Sequence, residues 1–163
     1  MTALAFLIRP YSEEDFAAVC AVHDRARPME IAGSADPRAF RPMVEEAEEE
    51  EFFVSRTIVA AIEDRIVGFI SFNVSYITWM YVDPDFHRHG IGAALLAEAL
   101  KHIGPEAWLN TMAGNDAAIA FYRKAGFDVV KSFPSDCNGF PCTCLRLALP
   151  TSRMHDPAAT RIR

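Results

Sequence analysis

The segment Tyr81-Val82-Asp83-Pro84-Asp85-Phe86-His87-Arg88-His89-Gly90-Ile91-Gly92 constrains this chain more than any other. Ile77 to Val82 is rich in β-branched and aromatic residues and reads as a strand. Ala93 to Leu100 holds strong helix formers with an apolar stripe. The chain therefore passes from strand to helix across a short loop with two glycines. Backbone N–H groups gather at the start of such a helix, and they suit a phosphate-bearing ligand. Gly90 and Gly92 matter because a side chain there would hold the ligand off the backbone. Plain turn chemistry accounts for the same glycines, so the motif gains meaning only in company.

The rest of the chain supplies a sheet around it. Ala3 to Ile8 reads as an edge strand, and Ser12-Glu13-Glu14-Asp15 resembles a capping box with Asp15 in the acidic position. A helix is expected from there to about Arg25, with Phe16, Val19, Cys20 and Val22 inward. Arg27 to Pro37 reads as a loop, and a second helix is expected from about Pro37 to Glu50. Thr57 to Ile62, Ile66 to Val74 and Ile77 to Val82 are three strands with short connections, hence an antiparallel meander. A helix to Ile103, a strand at Ala107 to Thr111, and a helix from Asn115 to about Ala125 follow, the last closed by Gly126. Phe127 to Phe133 and Thr143 to Leu149 make a final strand pair.

These pieces predict an α/β (α+β) fold. Its sheet is mixed but mostly antiparallel, with about seven strands, a helix-linked parallel pair in the middle and about four flanking helices. Residues 1–150 are expected to form a single domain and 151–163 a C-terminal tail of low apolar content. Ligands in such sheets favour the carboxyl end of a strand beside a switch in topology, where the glycine loop sits.

Composition excludes several classes. The net charge of −6 argues against a general nucleic-acid-binding surface. No apolar run reaches the roughly 20 residues that cross a bilayer, so no membrane role is expected. Ala3 to Ile8 lacks the basic lead-in of a signal peptide, and the four cysteines are expected to be reduced thiols in a cytoplasmic protein. Cys137, Cys142 and Cys144, with His155 downstream, lack the paired Cys-x-x-Cys spacing of zinc sites, so no metal is expected.

Asn110 to Phe127 is the second informative stretch. Asn115 is a good N-cap, and Tyr122 lies seven residues on, about two turns, near the same helix face. Packing with Ala118, Phe121 and Ala125 is the plainer role for that phenol. His87-Arg88-His89-Gly90-Ile91-Gly92-Ala93, followed by Asn115 and Phe121-Tyr122-Arg123-Lys124-Ala125-Gly126-Phe127, resembles the GNAT superfamily of acyl-CoA-dependent N-acyltransferases. The resemblance spans about Thr57 to Phe133. It departs from the family pattern Gln/Arg-x-x-Gly-x-Gly/Ala at the opening position, where His87 stands.

The resemblance implies a GNAT-like fold with acetyl-CoA as cosubstrate, in a V-shaped gap between the strands Ile77–Val82 and Ala107–Thr111. Met80, Tyr81 and Val82 would bind pantetheine through backbone groups. Arg88, His89, Gly90, Ile91, Gly92 and Ala93 would hold the pyrophosphate. Asn115 would contact the coenzyme, and Tyr122 would act as general acid to the CoA thiolate. A phenol with a reference pKa of about 10 suits protonation of a thiolate whose reference is about 8.5. The implied activity is acetyl transfer to a primary amine by direct attack in a ternary complex, so the cysteines need no role. The acceptor is a small-molecule amine or a protein N-terminus, and the last strand pair offers a route to a homodimer. A non-catalytic acyl-CoA-binding domain is the rival. A nicotinamide-dinucleotide enzyme would need a third glycine, absent from Gly90-Ile91-Gly92-Ala93-Ala94-Leu95.

No base is evident for the amine. The ribosomal-protein alanine acetyltransferases of this superfamily carry a glutamate where this chain has Asn110, which cannot serve. Glu63 and Asp83 are the nearest carboxylates in sequence, and deprotonation through water is the expectation. The acidic run Glu45–Glu51 could attract a cationic amine acceptor, but it reads first as a solvated helix end. His87 and His89 read as loop-positioning residues, and Trp79 and Trp108 as packing.

Overall fold

The structure, a computed structural model, describes residues 2–155. Its strands are β1 (Leu7–Pro10), β2 (Arg56–Ile62), β3 (Arg65–Asn73), β4 (Tyr76–Val82), β5 (Trp108–Met112), β6 (Asp128–Cys137) and β7 (Phe140–Ala148). Its α-helices are α1 (Phe16–Ile31), α2 (Met43–Glu46), α3 (Ile91–Ile103) and α4 (Asp116–Lys124). The strands form one seven-stranded sheet in the order β1-β2-β3-β4-β5-β7-β6. β4 and β5 pair in parallel through Tyr76↔Trp108 and Ile77↔Leu109. The pairings of β1 with β2, β2 with β3, β5 with β7 and β6 with β7 are antiparallel. The expected fold class is the observed one.

Several boundaries differ from the sequence reading: the first strand, expected over Ala3 to Ile8, lies at Leu7–Pro10. α1 does not stop near Arg25 but runs through Pro28 to Ile31. Proline inside a helix forfeits a backbone bond and crowds the carbonyl four residues back. Burial of Val19, Val22, Ala26 and Ile31 along α1 offsets that cost. The second helix expected over Pro37 to Glu50 shrinks to the single turn Met43–Glu46. Pro42 interrupts it, and carboxylates crowd where the helix dipole repels them. Glu51 then adopts a left-handed φ of 64°, which turns buried Phe52 into the core. The last strand pair is longer than expected, with an irregularity between Val129 and Lys131 that re-phases its register.

The chain divides into two compact units. The first holds Met1–Arg27, Arg41–Val74 and Thr78–His102; the second holds Pro28–Phe40, Ser75–Ile77 and Ile103–Arg163. In the first unit Val19, Val22, Met43, Phe52, Val59, Phe69 and Trp79 form the core between α1, α2 and the meander. A Cβ on Gly68 of β3 would lie 3.1 Å from Leu95 Cδ1, 3.2 Å from the Tyr81 carbonyl and 3.3 Å from Ile91 Cγ2. This glycine therefore lets α3 settle closely on β3. In the second unit Ile31, Ala39, Met112 and Cys137 form a smaller cluster. The start of the expected tail is held down: Thr151 Oγ1 donates to the Pro105 carbonyl and Ser152 Oγ to the Glu106 carbonyl. Residues 156–163 lie outside the described residues.

Candidate active site

The sequence-predicted site residues divide between the two units. Met80, Tyr81, Val82 and Arg88 to Ala93 lie in the first, and Asn115 and Tyr122 in the second.

In the first unit the chain leaves β4 at Val82 and reaches α3 at Ile91. Asp83 begins this passage. Its Oδ1 accepts the Asp85 N–H at 3.0 Å, capping the short turn Pro84–Phe86. Asp83 is 3% exposed, and its Oδ2 accepts from Arg25 Nη1 at 3.0 Å and Arg65 Nη2 at 3.1 Å. Arg25 also donates to Asp85 Oδ2 at 2.9 Å, and the Arg65 guanidinium lies over the Phe86 ring. Asp83 is thus a clamped structural anion, not a carboxylate open to substrate. The sequence reading named it but missed both arginines.

His87 occupies the position where the resemblance was imperfect. Its Nε2–H donates to the Val82 carbonyl at 2.9 Å and latches the loop to the end of β4. Arg88 has φ of 64° and Gly90 of 80°. A left-handed arginine is strained by about 1–3 kcal/mol, and such strain persists where surrounding structure enforces it. Residues 87–90 are exposed and precede a helix of 13 residues. Alternating backbone handedness before a helix turns successive N–H groups to one side, which makes a concave anion site. α3 is anchored by buried Ile91, Leu95, Leu96 and Ala99. The loop fits a coenzyme pyrophosphate on these grounds.

In the second unit Asn115 caps α4. Its Oδ1 accepts the Ala118 N–H at 3.3 Å, and its own N–H donates to the Met112 carbonyl at 3.0 Å. Gly114 before it has no room for a side chain: a Cβ there would collide with the Gly33 carbonyl and press on Ser34 Oγ. Backbone cannot yield cheaply, so Gly114→Ala is expected to destabilise the protein by about 1–3 kcal/mol, as overpacking does. At roughly 2–4 °C per kcal/mol in a chain of this size, calorimetric melting should fall by several degrees. An unchanged melting temperature would show that the 33–34 loop gives way freely.

Tyr122 is buried and packs edge-on against Phe121 and Phe127, with centroids 5.1 and 5.6 Å away. Burial, reinforced by the Glu30 carboxylate, raises its phenol above the ordinary value, so it stays protonated at physiological pH. Gly126, φ 98°, ends α4 as expected from sequence. Asn110 of β5 faces its register partner in β7: Arg146 Nε donates to Asn110 Oδ1 at 3.2 Å, with the guanidinium over the Trp108 ring at 4.6 Å.

Two of the cysteines are held as thiols. Burial pushes both Cys20 and Cys142 up to about 11, Cys142 with a further rise from Cys144 beside it. Among the described residues no group of three or more His, Cys, Asp or Glu side chains could hold a metal ion. No helix among them is long and apolar enough to cross a membrane.

The structure thus joins a mostly antiparallel sheet with one parallel pair to a glycine-bearing loop that leads from β4 into α3. The family model for the acetyltransferase (GNAT) family matches residues 17–127. The chain belongs to that family and is an acyl-CoA-dependent N-acyltransferase. It is 33% identical over 135 residues to YafP of Escherichia coli K12, an uncharacterized N-acetyltransferase, covering 81% of this chain and 87% of that one. It is 34% identical over 85 residues to the peptidyl-lysine N-acetyltransferase YjaB of the same organism, 52% of this chain and 57% of that one. Among solved structures, a GCN5-related N-acetyltransferase from Rhodopseudomonas palustris superposes with a TM-score of 0.71 at 22% identity, covering 91% and 99% of the two chains. The fold is also that of an N-acetyltransferase from Thermoplasma acidophilum solved with coenzyme A, TM-score 0.65 at 20% identity, over 86% and 98% of the chains.

Proposed function

We propose that this chain, as one catalytic domain over residues 1–150, moves the acetyl group of acetyl-CoA to a primary amine by direct attack in a ternary complex. The observation that carries the reading is the buried, protonated phenol of Tyr122 on the helix capped by Asn115.

Each residue has a role in this reading. Arg88 to Ala93 bind the pyrophosphate through backbone N–H groups at the α3 N-terminus. Met80, Tyr81 and Val82 bind pantetheine along the β4 backbone, and a β4 N–H steadies the oxygen charge that develops on the thioester carbonyl. Asn115 contacts the coenzyme. As the C–N bond forms and the C–S bond breaks, Tyr122 donates its proton to the departing sulfur. Burial raises the proton affinity of a thiolate as it does that of a phenol, so the transfer stays feasible inside the protein. The names of the relatives point to protein amines: one acts on peptidyl lysine, and others on the alanine of ribosomal protein bS18. A lysine side chain or a protein N-terminus is therefore the acceptor class proposed beside a small amine.

Titration calorimetry with acetyl-CoA, and NADH as control, tests the reading. Saturable binding of acetyl-CoA alone is expected, followed by thiol release when amines are added. No acetyl-CoA binding by the folded protein would refute it. Binding without thiol release across lysine peptides, N-terminal peptides and small amines would instead favour a sensing domain.

A further inference from the structure

The second unit carries a pair of cations that the reading so far leaves unused. Arg146 stands on β7, the middle strand of the row β5-β7-β6. Its register partner in β6 is Lys131, and its register partner in β5 is Asn110. Register partners in an antiparallel pair project to the same face, so the guanidinium and the ammonium emerge side by side. Both lie against one ring: Lys131 Nζ is 5.6 Å and Arg146 Cζ 5.7 Å from the centroid of Phe133. Like charges placed directly opposite each other across a strand pair cost stability. Among the described residues neither cation is paired with a carboxylate. An anion between them would turn that repulsion into attraction.

The guanidinium is held in a fixed attitude. The Trp108 ring of β5 lies 4.6 Å from its Cζ, and Phe133 flanks it from β6. Trp108 is itself stacked on Tyr76 at 4.3 Å. Arg146 Nε donates to Asn110 Oδ1 at 3.2 Å, which spends that nitrogen and fixes the plane. Of the terminal nitrogens, Nη1 makes one long contact, 4.0 Å to Met154 Sδ, and Nη2 has no hydrogen bond among the described residues. Two N–H groups on one planar edge match the two oxygens of a carboxylate. A carboxylate lies in the plane of that fork, whereas a tetrahedral phosphate sends oxygens out of it, toward the flanking rings. Lys131 is exposed, and Arg146, Trp108 and Phe133 are part-exposed, so a small anion reaches the pair from solvent.

We propose that Arg146 and Lys131 form a binding site for a small organic carboxylate on this face of β5, β7 and β6. Arg146 holds both oxygens through its terminal nitrogens, and Lys131 adds the second positive charge. Asn110, Trp108 and Phe133 are positioning residues for the guanidinium. No bond is made or broken at the site. It uses none of the residues assigned to the coenzyme, so it stands or falls apart from the transferase reading.

Nitrogen NMR of the full chain reads the site directly. Acetate replacing chloride at constant ionic strength should move the Arg146 Nε–H and Trp108 indole signals along one curve that saturates in the millimolar range. The Trp79 indole, which donates to the Glu50 carbonyl in the first unit, is the internal control and should stay still. Arg146→Lys keeps the charge but loses the planar fork, and should weaken acetate by about tenfold or more, the scale of a charge-assisted hydrogen bond. Lys131→Gln, a substitution at an exposed position, should fold as wild type and weaken acetate by about threefold or more. Arg123→Gln removes one exposed charge from α4, outside the site, and should leave the affinity within about twofold. Phosphate should bind more weakly than acetate despite its larger charge. Acetate that leaves Trp108 and Arg146 unmoved would overturn the proposal. So would equal weakening by Arg123→Gln and Lys131→Gln, the mark of general charge attraction, or phosphate binding tighter than acetate.

Discussion

Tyr122→Phe should lower turnover by about 100-fold or more while leaving acetyl-CoA affinity within about twofold, the pattern of a lost proton donor. The ring stays, so packing against Phe121 and Phe127 is kept and the fold should hold. Only the hydroxyl is lost, and a thiolate then leaves without its proton. The pH dependence follows from the direction of the phenol's shift. Burial raises it, so the acidic form persists upward in pH. No falling limb assignable to Tyr122 should therefore appear below about pH 10, the ordinary phenol value. Equal turnover in the variant would remove Tyr122 as the acid. A pre-steady-state burst in wild type that vanishes in the variant would place the loss in the chemical step.

Gly92→Trp should abolish measurable acetyl-CoA binding, a loss of more than about 100-fold, or about 2.8 kcal/mol. Gly92 stands in the first turn of α3, where the free N–H groups point out of the helix. An indole there covers the anion site. Tryptophan is a better helix former than glycine, so circular dichroism and melting should stay near wild type. Unchanged affinity would mean that the pyrophosphate lies elsewhere and that the left-handed pair Arg88 and Gly90 serves only the turn.

Local chemistry made much of this protein legible before any coordinates. The strand–loop–helix around Gly90, the Asn115 cap and the Gly126 stop depend on residues within a few positions of one another. Backbone conformational preference and capping act at that range, so a sequence reveals them. The order of strands follows from the same short-range signals, together with the rule that short connections make antiparallel neighbours.

What tertiary structure decided is of another kind. α1 continues through Pro28 because its buried face outweighs a local penalty, and that face is defined by residues far along the chain. Asp83 looked available until Arg25, 58 residues earlier, and Arg65 closed on it. The acidic run divides the same way: Glu46 is buried beside His23, while Glu45, Glu48 and Glu49 remain in solvent. Whether a carboxylate is a solvated charge or a clamp depends on burial and on partners, and neither is a property of neighbours in sequence. The sequence by itself determined the family, the passage from strand through glycine loop to helix, and the place of the phenol on α4, because each rests on local geometry. Folding alone set which charged side chains are clamped, buried or left in solvent, because desolvation and long-range pairing arise only when distant segments meet.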